Sequence, residues 1–349
     1  MFNLPQEDLF DIASAAYKRL YEFKNKSFLI TGGTGFIGKW LVASLKSLSE
    51  SNDLNISITI LTRNKKSFMD KHKDLKNVKN LDFIESDIRS LDELKFDGEG
   101  FDFIVIGAND ATYDFSLNTF ILADTLLNGT KKLLDKFVTS RTKSILHLSS
   151  GAVYGDISDY GDGVDELANA NFNINDVGSM YGLSKILVES LLCEFGKSNN
   201  IKIINARCFA FSGPYLPIDK HFAFGNFIKN ALEQEDIIIN GDGSPVRSYL
   251  YPVDLVNFLL KLFMSEKDNI TVNVGSSSLI TIKELAYKVL DILNLPNKVV
   301  IKTNNVRHPE KSNFYIPNTD YAKLLGLVES ISLNDSILKT YNFYKKLKY

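Results

Sequence analysis

The sequence predicts an α/β protein, a doubly wound parallel sheet followed by a smaller C-terminal α/β lobe. Three observations lead there. Short apolar runs alternate with amphipathic ones between Ser27 and about Phe209. Glycines crowd the stretch TGGTGFIG at 31–38, directly after the first apolar run. Beyond Phe211 the rhythm changes to Gly-Pro, Leu-Pro and Gly-Asp-Gly punctuation.

The elements follow in order. After Pro5, the residues Leu9, Ile12, Ala13, Ala16 and Leu20 recur at helical spacing, so residues 1–24 should hold an amphipathic helix packed on the body. SFLI reads as a buried strand, and a helix should start at Phe36. ISITIL is the second strand, and the lysine- and asparagine-rich stretch Asn64–Lys79 after it should be solvated surface. LDFIES and FDFIVIGA are strands, and a long helical run lies around Ser116–Ser140. SILHLSS, a helix over Met180–Gly196 and the strand IKIINARCF complete a first domain, 25–210. Residues 211–349 mainly form the second lobe, with 240–275 returning to the first domain.

Composition narrows the functional classes. A formal charge of −2 argues against a general nucleic-acid binder, whose footprint would be basic. Cys193, Cys208 and the four histidines show no metal-ligand spacing, so no metal is expected. The N-terminus lacks the apolar core of a leader, and no run approaches the roughly 20 apolar residues of a membrane span. A cytoplasmic protein with no membrane partner is expected.

Gly33, Gly35 and Gly38 satisfy G-x-G-x-x-G, with Gly32 as a further flexible position. Between a strand and a helix, such a loop brings backbone close to a pyrophosphate, whose charge rests at the positive helix N-terminus. Gly32, Gly35, Phe36, Ile37 and Gly38 are therefore taken as cofactor-binding. An NAD site usually carries Asp or Glu at the end of the second strand. Here Thr62, Arg63 and Asn64 stand there. Arginine can pair with a 2′-phosphate, which favours NADP(H) over NAD(H) as the alternative.

Residues 181–185 read YGLSK, and positions four apart share a helix face. Tyrosine, with an unperturbed pKa of about 10, is a poor base at neutral pH. The Lys185 ammonium would stabilise its phenolate and make Tyr181 a usable general acid/base. Alone, Y-x-x-x-K is a common surface pairing.

Together with TGGTGFIG, SSGAVYG and the segments GDGSPVRSYLYPVDL and VNVGSSSLITIKELA, it makes the chain resemble the extended short-chain dehydrogenase/reductases, in their nucleotide-sugar epimerase/dehydratase branch. The resemblance covers most of the chain and implies a Rossmann dinucleotide-binding domain with a C-terminal substrate-binding lobe. It implies that Ser150 hydrogen-bonds the reacting sugar oxygen beside Tyr181, and that Lys185 also binds the nicotinamide ribose. Asp87 and Ile88 would lie near adenine, with Gly107 and Ala108 lining the dinucleotide path. Arg247, and more loosely Arg307, would hold the diphosphate of a nucleotide-diphosphate sugar. Hydride transfer at a sugar carbon, C4, a role in surface-polysaccharide sugar synthesis, and a homodimer are likewise implied.

Two departures narrow the reaction. The branch's 4,6-dehydratases carry an acidic pair after the Ser150 position, and its decarboxylases a glutamate where Ala152 stands. Here Gly151 and Ala152 offer no proton-transfer group. That disfavours both activities and leaves 4-epimerisation or 4-keto reduction. The branch's usual asparagine is Ala210 here, so the neighbouring stretch YLPIDKHFAFGNFIKNAL should shape the sugar pocket. Within it His221 and Asn226 are the polar candidates, and Asn226 is taken as substrate-binding. A dinucleotide sensor without catalysis is the reading from another class; the intact Ser150, Tyr181 and Lys185 argue against it.

Overall fold

The computed structural model describes residues 2–75, 78–108, 119–220, 222–302 and 314–348. The chain divides into two compact units. Residues 1–155, 172–207 and 256–272 form the first, and residues 156–171, 208–255 and 273–349 the second.

In chain order the first unit opens with α1 (Gln6–Ser14), β1 (Ser27–Thr31), α2 (Phe36–Ser51), β2 (Ser57–Thr62), α3 (Lys65–Lys71) and β3 (Leu81–Glu85). It continues with β4 (Phe103–Ile106), α4 (Thr119–Phe137), β5 (Ser144–Ser150), α5 (Ser179–Asn199) and β6 (Lys202–Cys208), whose last residue passes into the second unit. The second unit holds α6 (Ala223–Glu233), β7 (Ile237–Asn240) and β8 (Val246–Ser248). Helix α7 (Pro252–Phe263) then leads back to the first, and β9 (Asn269–Val274) leads out again. β10 (Leu279–Thr281), α8 (Ile282–Ile292), β11 (Val299–Lys302), β12 (Phe314–Tyr315), α9 (Asp320–Leu324) and α10 (Leu333–Lys348) complete the chain.

Seven strands form one sheet in the order β3-β2-β1-β4-β5-β6-β9. β1 pairs in parallel with β2 on one side and with β4 on the other, and the strand order reverses between them. In open α/β sheets, ligands bind outside the carboxyl ends of the strands at such a switch point. Strands β1 and β4 are almost wholly buried, as expected of strands covered on both faces. At their amino ends Phe23, Phe28, Phe103 and Phe263 pack together; Phe28 and Phe103 stack at 4.7 Å between ring centroids. On one face α4 and α5 bury Leu126, Leu133, Phe137, Val188 and Leu192 with Leu29, Ile104 and Ile106.

In the second unit β8 lies between β10 and β12, while β11 pairs with β7. Helix α8 starts with a complete capping box, Thr281 and Glu284 each bonding the other's backbone N–H.

Two expectations need correction. The N-terminal helix does not run on to Leu20. It ends at Ser14, where Ala15 turns extended (ψ 141°), and Ala16 is exposed. The Tyr17 hydroxyl, 2.5 Å from Asn257 Oδ1 and 3.1 Å from the Ile12 carbonyl, anchors the chain where the periodicity would have continued. The stretch 64–79 is also more than solvated surface. Asn64 caps α3 by accepting from Ser67 N at 2.8 Å, and Phe68 and Leu75 are buried.

Candidate active site

The glycine loop closes as a turn at the carboxyl end of β1. Gly35 N donates to the Gly32 carbonyl at 3.0 Å, and Gly35 stands at the N-cap of α2, with Phe36 and Ile37 in its first turn. Gly32 has φ +73°, a left-handed conformation, and a Cβ there would lie 2.3 Å from the Gly107 carbonyl oxygen. Thr31 binds the two loops together. Its hydroxyl accepts from Gly107 N at 2.9 Å and Ala108 N at 3.0 Å while donating to the Val105 carbonyl. The structure thus brings Gly32, Gly107 and Ala108 into one cradle of close backbone approach. Close backbone approach beside a helix N-terminus is what a pyrophosphate cradle requires. Thr31→Val leaves two amides without their acceptor. The expected cost is about 1–3 kcal/mol per group left unsatisfied, read as a lowered urea midpoint, together with weakened dinucleotide binding.

At the end of β2, Thr62 is half-buried and Arg63 exposed, with no carboxylate at either position. Asp87, after β3, accepts from Arg89 Nε at 3.0 Å and NH2 at 2.8 Å and caps the following turn. The Arg89 side chain pulls its carboxyl down to about 2. The native carboxylate therefore stays charged where the unfolded chain's, at its ordinary value near 3.8, becomes protonated. Its stabilising contribution is complete above the unfolded value and is lost as pH falls through about 2. Asp87→Asn is expected to lower stability at neutral pH and to flatten the acid limb of the melting curve, measured by thermal unfolding between pH 2 and 6. Ile88 is buried, packed over Gly129 of α4.

Strand β5 ends at Ser150, whose hydroxyl accepts from Ala152 N at 3.1 Å and starts a short 3-10 turn, Gly151–Tyr154. Helix α5 carries Tyr181 and Lys185 one turn apart, with the Lys185 ammonium 5.9 Å from the Tyr181 ring centroid. Lys185 is only 2% exposed and donates to the Leu148 carbonyl at 2.7 Å. Gly182 determines how closely the helix meets the 3-10 turn. A Cβ there would stand 2.2 Å from the Ala152 carbonyl oxygen and 2.7 Å from the Phe172 ring. Lys185 thus stands between the end of β5, which carries Ser150, and the Tyr181 ring on α5.

Behind them lies a second layer. Arg207 makes a bidentate ion pair with Glu189 and donates to the Tyr154 hydroxyl at 2.9 Å, while Ser149 donates to Glu189. This network ties β6, α5, β5 and the 3-10 turn together, and all four side chains are largely withdrawn from solvent. Sequence reasoning missed it, and missed Gly182, because neither has a local signature.

In the second unit Arg247 sits half-buried on β8, its guanidinium 5.7 Å above the Tyr315 ring and bonded to the Val246 carbonyl. Burial lowers its pKa from the ordinary arginine value. Asn226 is half-buried in the first turn of α6. Arg307 and His221 lie outside the described residues. Among the described residues no His, Cys, Asp and Glu cluster could hold a metal, and no helix is long and apolar enough to cross a membrane.

A Rossmann sheet with a glycine-rich turn at its switch point, and Ser150, Tyr181 and Lys185 on neighbouring elements, is the architecture of a dinucleotide-dependent enzyme. The chain belongs to the NAD dependent epimerase/dehydratase family, whose pattern matches residues 28–275, and thus to the extended short-chain dehydrogenase/reductases that modify nucleotide sugars. Among curated proteins it is 28% identical over 316 residues to UDP-glucuronic acid decarboxylase 3 of Arabidopsis thaliana, covering 90% of this chain and 87% of that one. Among solved structures it is similar to a UDP-glucose 4-epimerase of Thermotoga maritima determined with UDP-glucose. The TM-score is 0.76 at 22% identity, over 93% of this chain and 100% of the other. A UDP-glucuronic acid 4-epimerase of Bacillus cereus in complex with NAD gives a TM-score of 0.70 at 22% identity, over 93% and 100%. At these identities the structural matches establish the fold. The cofactor is a nicotinamide dinucleotide.

Proposed function

We propose that the protein is a nucleotide-sugar 4-ketoreductase that prefers NADP(H). The observation that carries this is the 3-10 turn after β5. Ser150, Tyr181 and Lys185 support a single proton transfer, whereas Gly151 and Ala152 supply no acid or base. Water elimination needs a second proton-transfer group, as the family's dehydratases have; a 4-keto reduction needs one proton and one hydride. The Thr62-Arg63-Asn64 end of β2 supports NADP(H), since it offers a cation and no carboxylate. The absence of side chains beyond Cβ at 151 and 152 also leaves room for a sugar to rotate, which favours 4-epimerisation with retained NAD as the second reading.

Bound in the cradle, the dinucleotide supplies the hydride. The protein's residues do the rest. Ser150 donates a hydrogen bond to the reacting oxygen, and Tyr181 gives that oxygen its proton. The Lys185 ammonium stabilises the phenolate left behind. Arg247 supplies a planar fork for a diphosphate. Arg307 is proposed as its partner in that task and Asn226 as a sugar contact. A homodimer is proposed as the solution state, to be read by sedimentation.

The test is to denature freshly purified protein and identify the released dinucleotide by mass spectrometry. Mostly empty sites that then bind NADPH in preference to NADH, and turnover of a 4-keto nucleotide sugar, are expected. Near-stoichiometric NAD would overturn the reductase in favour of the epimerase.

A further inference from the structure

Among the buried titratable side chains that the mechanism above leaves unused, His147 touches the Lys185 ammonium itself. His147 lies on β5, 1% exposed, directly beneath Lys185. Its Nδ1 is 3.1 Å from Asn205 Oδ1, and its Nε2 is 3.4 Å from Lys185 Nζ. The Asn205 amide is itself oriented. Its Nδ2 faces two acceptors, Cys193 Sγ at 3.5 Å and Thr271 Oγ1 at 3.4 Å, so Oδ1 is the atom turned to the imidazole. An acceptor at Nδ1 requires that nitrogen to carry the proton, which leaves the Nε2 lone pair aimed at the lysine ammonium.

We infer that His147 is a positioning residue: held as the Nδ1–H tautomer by Asn205, it accepts from Lys185 and, with the Leu148 carbonyl, fixes the ammonium beneath Tyr181. A buried ammonium needs acceptors, because one short of partners gives up its proton. Leu148 O at 2.7 Å is the strong one, and the longer Nε2 contact sets the direction of the second. Charge on the imidazole would be self-defeating. Burial first, and the lysine second, hold the His147 pKa well below its ordinary value, so the ring remains an acceptor. The other titratable groups here are Tyr181, Glu189 and Cys193, all on α5 with Lys185, and Arg207 on β6. Glu189 is taken up by Arg207 and Ser149, and burial raises the Cys193 thiol.

The inference rests on reading Tyr181 and Lys185 as the acid/base pair, and two measurements separate the two. In the dinucleotide-loaded wild type, 15N imidazole NMR should show His147 as the neutral Nδ1–H tautomer through the pH range in which an ordinary imidazole takes up its proton. An Nε2–H tautomer, or a protonated ring, overturns the inference. The Tyr181 phenolate midpoint is then followed by ultraviolet difference absorbance against Tyr181→Phe, with no substrate present. His147→Leu keeps much of the volume and removes the lone pair. It should raise that midpoint by about one unit, a tenfold loss of phenolate on the rising limb. Asn205→Leu, which frees the tautomer and leaves the imidazole, should move it the same way and serves if His147→Leu does not fold. An unchanged midpoint in a folded variant overturns the inference. A wild-type midpoint at the ordinary tyrosine value would sink the Tyr181 reading instead, while the NMR tautomer still decides the role of His147.

Discussion

Tyr181→Phe is expected to lower turnover by about 10²–10⁴-fold, the range a positioned general acid/base contributes, and to leave dinucleotide affinity essentially unchanged. The phenol sits one helical turn before Lys185, whose buried ammonium is 5.9 Å from the ring and locked to the Leu148 carbonyl. Removing the hydroxyl deletes the proton donor and nothing that holds the cofactor's pyrophosphate. Phenylalanine keeps the ring's packing against the α4–α5 core. Steady-state kinetics with a 4-keto nucleotide sugar, paired with NADPH titration by fluorescence, measures both halves. Undiminished turnover would remove Tyr181 from the chemistry. Parallel loss of affinity would mean that the ring serves chiefly to hold the cofactor.

The second large effect is expected at Gly38. An alanine Cβ there would fall 2.2 Å from the Gly32 carbonyl oxygen and 2.5 Å from Gly33 Cα. Both are backbone atoms in a loop that is itself pressed against Gly107, so no side chain can swing aside. Either α2 moves off β1 or the loop opens. Overpacking of this kind costs about 1–3 kcal/mol, occasionally more. The same displacement carries the α2 N-terminus away from the pyrophosphate position. Gly38→Ala should therefore lower the unfolding midpoint and weaken dinucleotide binding more than tenfold, on the order of 1.4 kcal/mol or beyond. Retained affinity in the folded variant would show that this loop is not the cradle.

Much of the site could be read from the sequence because its signals are local. The glycine loop, the apolar strand beside it and the Tyr181–Lys185 spacing each need fewer than twenty consecutive residues. α5 and β5 likewise appear within a few residues of where their patterns place them. What escaped depends on partners far along the chain. The stop of α1 at Ser14 is associated with Tyr17 reaching Asn257, 240 positions away. Helix α3 hides in a lysine-rich stretch because a single buried Phe68 carries its inward face. Gly182 and the Arg207–Glu189 pair acquire meaning only once β5, α5 and β6 lie side by side.

The first unit's discontinuity bears on how a ribosome must build it. Strand β6 finishes at Cys208, but its outer neighbour β9 begins only at Asn269, after an excursion into the second unit. At about 5–20 residues per second, that leaves an apolar strand edge without its cover for several seconds. Ile203 and Ile204, fully buried in the finished sheet, belong to that edge. In this interval the uncovered edge of β6 is a template on which the strand of a second nascent chain can pair. Once β9 docks, backbone at both its ends closes the edge: the carbonyl of Asp268, just before β9, accepts from Ile203 N at 3.1 Å, and that of Val274 accepts from Phe209 N at 3.0 Å.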